Sequence, residues 1–396
     1  MEEIVFWHGI EVNRDIEALA EKIAEFNQVN PRFEVKLESY GRQDLAEQVI
    51  INSVSNMQAD SPDIMWYGPQ LTSTLAGKDV LTPVSEFIGR EEELLLANIF
   101  DSLLESASYD DQLVTLPFDA NNLGVVYNQD YFEQAGIEET PDTWEELVAT
   151  AEKVQRNSEA QYGFLLPYGE QEWTVWVWET FFWQAGGEMI LNNKKLNFAS
   201  QAGVDALKFW SDLKDKHRVA DLSQPEKGAD PQRLQEGRVA MQIIGSWVLP
   251  ELEAAEMNYG TFMLPKKERR ATGIGGENLY IFGNSEAKKQ AAWKFASYFL
   301  QDEVQIDFAQ QTGYLPVTES AIKSPRYQMF LDENPKYKPF AEQLDHGFIR
   351  PTCPEYAEYI SPALGKAIRK VLDRVAGPEQ ALKEAVNQIK DNTRLI

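Results

Sequence analysis

The chain opens on an apolar run, Ile4-Val5-Phe6-Trp7, then turns at His8-Gly9, and Ile16, Leu19, Ala20, Ile23 and Phe26 follow at helical spacing. That pattern predicts a strand and then a helix over about 15–29. Asn30-Pro31 ends the helix, because proline pushes the residue before it out of the α region. Phe33, Val35 and Leu37 alternate as a half-buried strand. A helix over about 43–57 and a short strand over 63–66 continue the rhythm. Strands alternating with helices argue for a mostly parallel sheet covered on both faces.

Later elements are punctuated. Thr143-Trp144-Glu145-Glu146 is a capping box, and Trp144, Leu147, Val148, Ala151 and Val154 follow at 3.6-residue spacing. Leu364, Ile368, Val371, Leu372 and Val375 form one stripe, which Ser361-Pro362 starts and Gly377-Pro378 stops. A last helix carries Leu382, Ala385, Val386 and Ile389, and similar stripes mark 203–216 and 287–300. There is no internal repeat and no low-complexity linker, so separate lobes would be joined by short ordered crossings.

Composition narrows the function. The 396 residues suffice for two or three domains. Against 63 acidic residues stand 37 Lys and Arg, a net charge of −26, which disfavours nucleic acid and anionic lipid surfaces. Cys353 is the sole cysteine, so no intramolecular disulfide or Cys-based zinc site forms, and an inert buried thiol is its default reading. Three histidines without HExxH speak against a His-rich metal centre. No apolar run approaches the ~18 residues of a membrane span. Met1-Glu2-Glu3 lacks the basic region of a signal peptide, which suits either a cytosolic protein or a trimmed leader.

Enzyme motifs are missing. There is no GxSxG and no Walker loop, and Thr272-Gly273-Ile274-Gly275-Gly276-Glu277 does not match GxGxxG. Those glycines read as a turn that lets backbone approach something closely. A carboxylate pair for glycoside hydrolysis is not recognisable by spacing. Ten tryptophans are more informative: Trp173, Trp176, Trp178 and Trp183 share one stretch. Flat indoles cover the apolar faces of sugar rings. Trp176 and Trp183, seven apart, read as core, whereas Trp173 at a loop-to-helix junction reads as exposed to a ligand. Trp247 follows the apolar run 239–244 and begins a helix, at the carboxyl end of a strand where open α/β sheets bind ligands.

Leu123-Gly124-Val125-Val126-Tyr127-Asn128, Pro141-Asp142-Thr143-Trp144, Glu236-Gly237-Arg238-Val239-Ala240-Met241, Gly245-Ser246-Trp247 and Thr312-Gly313-Tyr314-Leu315-Pro316 occur in one colinear set spanning the chain. The set resembles the extracellular solute-binding proteins of ABC sugar importers, the maltose/trehalose-type group and its glycerol-phosphate branch. The resemblance implies an α/β, two-lobed periplasmic-binding-protein fold of the maltose-binding-protein-like type II with three interlobe crossings. One lobe would hold 1–114 and 268–314, the other 119–263 and 319–396, with crossings at 115–118, 264–267 and 315–318. The ligand would be buried between lobes by hinge closure.

By the same resemblance the ligand residues come from His8 to Glu11, Tyr40 to Arg42, Trp66 or Tyr67, Asp119 and Asn121, Trp247, the Gly276-Glu277 backbone with Asn278, and Arg350, to which the aromatic pattern adds Trp173. Asp119 would accept sugar hydroxyls or else cap a turn. Arg350 would donate to ligand oxygens or form a surface ion pair. His8 is a ligand contact or a satisfied core histidine. The resemblance implies a monomer without cofactor, metal or catalysis, exported free or lipid-anchored, handing its ligand to ABC permease subunits. With −26 and Glu277 at the glycine turn, a neutral di- or oligosaccharide or glycoside (trehalose, maltose, sucrose or glucosylglycerol) is favoured over glycerol phosphate. A glycoside hydrolase and a receptor feeding a signalling system are the other readings.

Overall fold

The apolar run at the start forms the strand Glu2–His8, and the helix that follows is Asn13–Val29. A computed structural model describes residues 2–41, 62–89, 93, 95–191, 195–223, 230–283 and 285–395. Arg42 and the helix expected over 43–57 lie outside them. The chain divides into two units. Met1–Asn121, Gly275–Glu333 and Thr352–Pro354 make the first; Asn122–Ile274, Asn334–Pro351 and Glu355–Ile396 make the second.

The first unit has a five-stranded sheet ordered Phe33–Ser39, Glu2–His8, Ile64–Tyr67, Asn278–Ile281 and Leu116–Pro117. The first three strands are parallel, and Asn278–Ile281 runs antiparallel to both its neighbours. The sheet is therefore mixed rather than mostly parallel. Asn278 pairs with Tyr67, so this strand enters at the carboxyl ends of the parallel ones and can only run back. Helix Asn13–Val29 buries Ala18, Leu19, Ile23 and Phe26. Lys22 is buried on the same face, its charge held by Glu25 at 2.9 Å and Asp307 at 3.0 Å.

The second unit's sheet runs Ala220–Ser223, Phe164–Pro167, Met241–Gly245, Asn121–Asn128, Thr272–Gly275 and Gly347–Phe348, with Tyr259–Phe262 also on Asn121–Asn128. Its first three strands are parallel. Thr272–Gly275, expected as a turn, is a strand. The tryptophan-rich stretch becomes the helix Glu172–Gln184, with Trp178 and Trp183 in the core.

The unit boundaries depart from the expected 115–118, 264–267 and 315–318. Residues 319–333 pack with the first unit, because Arg326 pairs with Asp307 and Ser320 donates to Asp302 at 2.7 Å. Residues 268–274 belong to the second, where Arg269 donates to the Trp183 carbonyl at 2.8 Å and Arg270 pairs with Asp142. These partners lie 18 to 128 residues apart in sequence, beyond the reach of local pattern.

The capping box of helix Trp144–Asn157 is present, with Glu146 N donating to Thr143 Oγ1 at 3.2 Å and Thr143 N to Glu146 Oε2 at 3.1 Å. Thr143→Ala should cost about 1 kcal/mol, lowering Tm by roughly 2–4 °C, and Thr143→Ser should recover it in a thermal melt. The start and stop read at 361–378 are corrected. Tyr356–Ile360 is already helical, so Ser361 is not a cap, and Ser361–Leu372 ends without glycine at Arg374, whose φ is +60°. Val375 is consequently 70% exposed rather than part of the stripe, and Gly377-Pro378 opens helix Pro378–Lys390. Among the described residues no helix is long and apolar enough to cross a membrane.

Candidate functional site

In the first unit, register sorts the expected residues by face. His8 pairs with Trp66, and Trp7 with Met65, in the parallel ladder; Asn278 pairs with Tyr67 in the antiparallel one. Paired residues share a face and successive ones alternate. His8 and Trp66 therefore stand on one side, and Trp7, Met65, Tyr67 and Asn278 on the other. On that other side Trp7, Met65, Tyr67 and Tyr280 form a core cluster, with Tyr40 packed against it. Asn278 is 2% exposed and donates to Thr72 Oγ1 at 3.2 Å and the Ser106 carbonyl at 3.1 Å. Tyr40, Tyr67 and Asn278 thus serve the interior of the unit.

On the first side Trp66 Nε1 donates to Asp119 Oδ2 at 2.7 Å, and the Glu277 backbone N–H donates to Asp119 Oδ1 at 3.0 Å. The Phe118 N–H donates back to the Glu277 carbonyl at 3.0 Å. Gly276 makes this closure possible. Its φ is +123°, and a Cβ there would sit 2.2 Å from the Asp119 carbonyl oxygen. Asp119 is 1% exposed, so burial raises its carboxyl pKa well above the usual range, and the neighbouring Glu277 charge raises it further. Asp15 is buried too and is pushed up to about 6, by burial first; the Arg14 guanidinium opposes this and Glu277 adds to it. Both Asp119 oxygens accept from N–H donors, and a carboxylate held this way has further lone pairs to accept from a hydroxyl. His8 is buried, which lowers its pKa, and its Nδ1 accepts from the Ile10 N–H at 3.2 Å, so the neutral ring carries its proton on Nε2. Tyr314 meets Trp66 edge-on at 6.4 Å.

The second unit assembles an aromatic surface from two neighbouring parallel strands. Phe164–Pro167 and Met241–Gly245 lie side by side, with Gln242 opposite Leu165. The first leads to Trp173 at the start of its helix and the second to Trp247 in the short 3-10 turn Ser246–Val248. Both rings are half-buried and 6.3 Å apart, crossing at 84°. One turn beyond Trp173, Trp176 lies parallel to Trp247 at 6.2 Å and 6°, and edge-on to Trp173 at 5.6 Å. Such pairs contribute about 0.5–1.5 kcal/mol each beyond the area they bury. Gly273 admits Trp176, because a Cβ there would be 2.3 Å from its Nε1. The Arg350 guanidinium lies over Trp176 at 5.1 Å and pairs with Glu172.

The structure therefore gathers Trp66, Asp119, Gly276 and Glu277 in one unit and Trp173, Trp247 and Arg350 in the other. Glu11 is exposed, and Asn121 is 7% exposed at the start of its strand. Two participants carry no signal in the sequence. Asp15 looks like an ordinary first-turn acid, and Glu172 like a solvated one. Trp176, expected in the core from its spacing to Trp183, is there at 7% exposed, and its ring also lies parallel behind Trp247. Cys353 is half-buried, not buried.

A family model described as a bacterial extracellular solute-binding protein matches residues 21–339. A binding protein of Brucella abortus is 28% identical over 309 residues, covering 76% of this chain and 71% of that protein. The sn-glycerol-3-phosphate-binding periplasmic protein UgpB of Salmonella typhimurium is 25% identical over 360 residues, covering 84% and 78%. Among solved structures, the cyclic alpha-maltosyl-1,6-maltose binding protein from Arthrobacter globiformis superposes with a TM-score of 0.87 at 25% identity, covering 99% of each chain.

Proposed function

Because the chain belongs to the bacterial extracellular solute-binding proteins, we propose that it captures a neutral di- or oligosaccharide or glycoside and hands it to the permease subunits of an ABC importer. Its architecture is that of the maltose-binding-protein-like periplasmic binding proteins. It works outside the cytoplasmic membrane as a monomer, free or lipid-anchored, and releases its ligand unchanged.

The observation that carries this reading is the pair of half-buried indoles Trp173 and Trp247, backed by the buried Trp176, beside Arg350. Indole faces cover the C–H faces of a pyranose, and a guanidinium donates to its hydroxyl oxygens. In the first unit, Asp119 with Trp66 and the Gly276-Glu277 backbone offers hydroxyl partners. A phosphate asks for surplus positive charge. Arg350 is already neutralised by Glu172, and Asp119, Glu277 and Asp15 are acids. These groups speak against the glycerol-phosphate ligand that the name of the Salmonella relative would suggest.

Thermal shift and calorimetry with maltose, trehalose, sucrose and glucosylglycerol, against sn-glycerol 3-phosphate, test the reading. At 100 Kd a true ligand stabilises by roughly 2.7 kcal/mol. Trp247→Ala should weaken that ligand at least ~10-fold, the loss of about one stacking contact. The bound sugar should be recovered intact by chromatography. A response to glycerol phosphate alone, or sugar turnover, would overturn the proposal.

A further inference from the structure

On the helix Glu172–Gln184, residues Glu172, Trp176, Glu179 and Trp183 recur at intervals of four, three and four, the spacing of one helical face. Residues 347–360 meet that face at three points. Phe348 stacks on Trp183 at 5.6 Å and 20°. Arg350 lies over Trp176 and pairs with Glu172. The chain then loops through 351–355 and returns, and the Tyr356 hydroxyl donates to Glu179 Oε1 at 2.8 Å. Arg350 is thus bracketed by one anchor on either side.

The anchor at Glu179 is chemically unexpected. It is the single acid in the run Trp173–Gln184, it is 0% exposed, and Tyr356 is 4% exposed. Its Oε2 has no hydrogen-bond partner among the described residues. A leucine would fill the helix core without the desolvation cost of a carboxyl. What a leucine would lose is the acceptor for Tyr356.

We propose that Glu179 is a positioning residue: by holding Tyr356 it clips residues 347–360 to the helix and keeps Arg350 seated on the buried Trp176 ring, so that the ligand meets a preplaced guanidinium beside Trp173 and Trp247. The effect on ligand binding rests on the saccharide reading above; the clip itself does not. Preorganisation of this kind raises affinity by sparing the ordering cost at the moment of binding.

Cys353 lies between Arg350 and Tyr356, in the segment Thr352–Pro354 that clusters with the first unit, and the difference in its reactivity between wild type and a variant at Tyr356 reports on the clip without any ligand. The test compares wild type, Tyr356→Phe and Glu179→Gln, the last of which keeps an acceptor for the tyrosine. N-ethylmaleimide labelling of Cys353 in the intact protein at pH 7 should be about 5- to 10-fold faster in Tyr356→Phe, the factor expected when one hydrogen bond no longer opposes local opening. In Glu179→Gln it should be no faster than wild type, because the acceptor is kept and opening no longer gains from ionisation of the carboxyl. Affinity for whichever sugar of the panel binds should fall about 10-fold in Tyr356→Phe and be retained in Glu179→Gln. An unchanged labelling rate in Tyr356→Phe removes the clip. A faster rate with unchanged sugar affinity removes the positioning role. If no panel sugar binds wild type, the saccharide reading fails, and the labelling rates still decide the clip.

Discussion

Gly276→Ala is expected to destabilise the first unit by at least roughly 3 kcal/mol, two costs adding at one position. The backbone there has a φ of +123°, which a side chain resists, and the new Cβ would sit 2.2 Å from the Asp119 carbonyl oxygen and 3.0 Å from the Ala120 Cα. Neither neighbour can yield as a flexible side chain would, because both are main-chain atoms of the segment that also carries the Asp119 carboxyl. Relief requires 275–277 to move away. That withdraws the Glu277 N–H from Asp119 Oδ1 and the Glu277 carbonyl from the Phe118 N–H. Asp119 would then keep only its bond from Trp66 among those two, with a buried acceptor unsatisfied. A loss of ligand affinity should accompany a fall in melting temperature of ~6–12 °C by calorimetry. Alanine at Gly136, whose added Cβ would meet nothing within 4 Å although its φ is +62°, should cost distinctly less. Equal effects at the two glycines would show that backbone conformation alone, and not the approach to Asp119, accounts for Gly276.

What the sequence made legible follows how far each signal reaches along the chain. The Thr143–Glu146 capping box, the end of the first helix at Asn30 and the strand–helix alternation are written within a few residues, and the structure has them. The distribution of site residues over faces is not local. Tyr40, Tyr67 and Asn278 were grouped with Trp66, but Asn278 pairs with Tyr67 and Trp7 with Met65, which turns that set toward the core. A one-residue change of register would have reversed this, and the strand that sets Asn278 against Tyr67 comes more than 200 residues later in sequence. Unit boundaries fail to show for a related reason, since Arg270 finds its acid 128 residues away, and Arg326 finds Asp307 on another helix, 19 residues back. Trp176 illustrates a different limit. Its spacing to Trp183 marks it as core, which it is at 7% exposed, and only the strand carrying Trp247 decides that its ring also backs the aromatic surface.

Glu179→Gln is expected to be several kcal/mol more stable than wild type at pH 8 and nearly equal to it at pH 4.5. Burial pushes the Glu179 carboxyl up to about 8 from its ordinary 4.5, and the hydrogen bond from Tyr356 only partly opposes this. A raised acid favours the proton-bound native state. Its contribution is complete below pH 4.5, where folded and unfolded chains are both protonated. As pH rises toward 8 the unfolded carboxyl ionises freely while the native one holds its proton, and stability is lost over that window, by up to about 5 kcal/mol. Glutamine has no proton to lose and still accepts from Tyr356, so the loss is absent in the variant. Asp15 and Asp119 are raised as well and lose stability in the same direction. Asp142, Asp205 and Asp215, held below their ordinary range by basic partners, act with the opposite sign at acid pH. All of these remain in the variant, so subtracting its curve from that of wild type isolates Glu179. Urea unfolding at pH 4.5, 6 and 8 measures the difference. Parallel curves would mean that the native carboxyl ionises as readily as the unfolded one, and that water or a rearrangement of 355–360 reaches Glu179 in the folded protein.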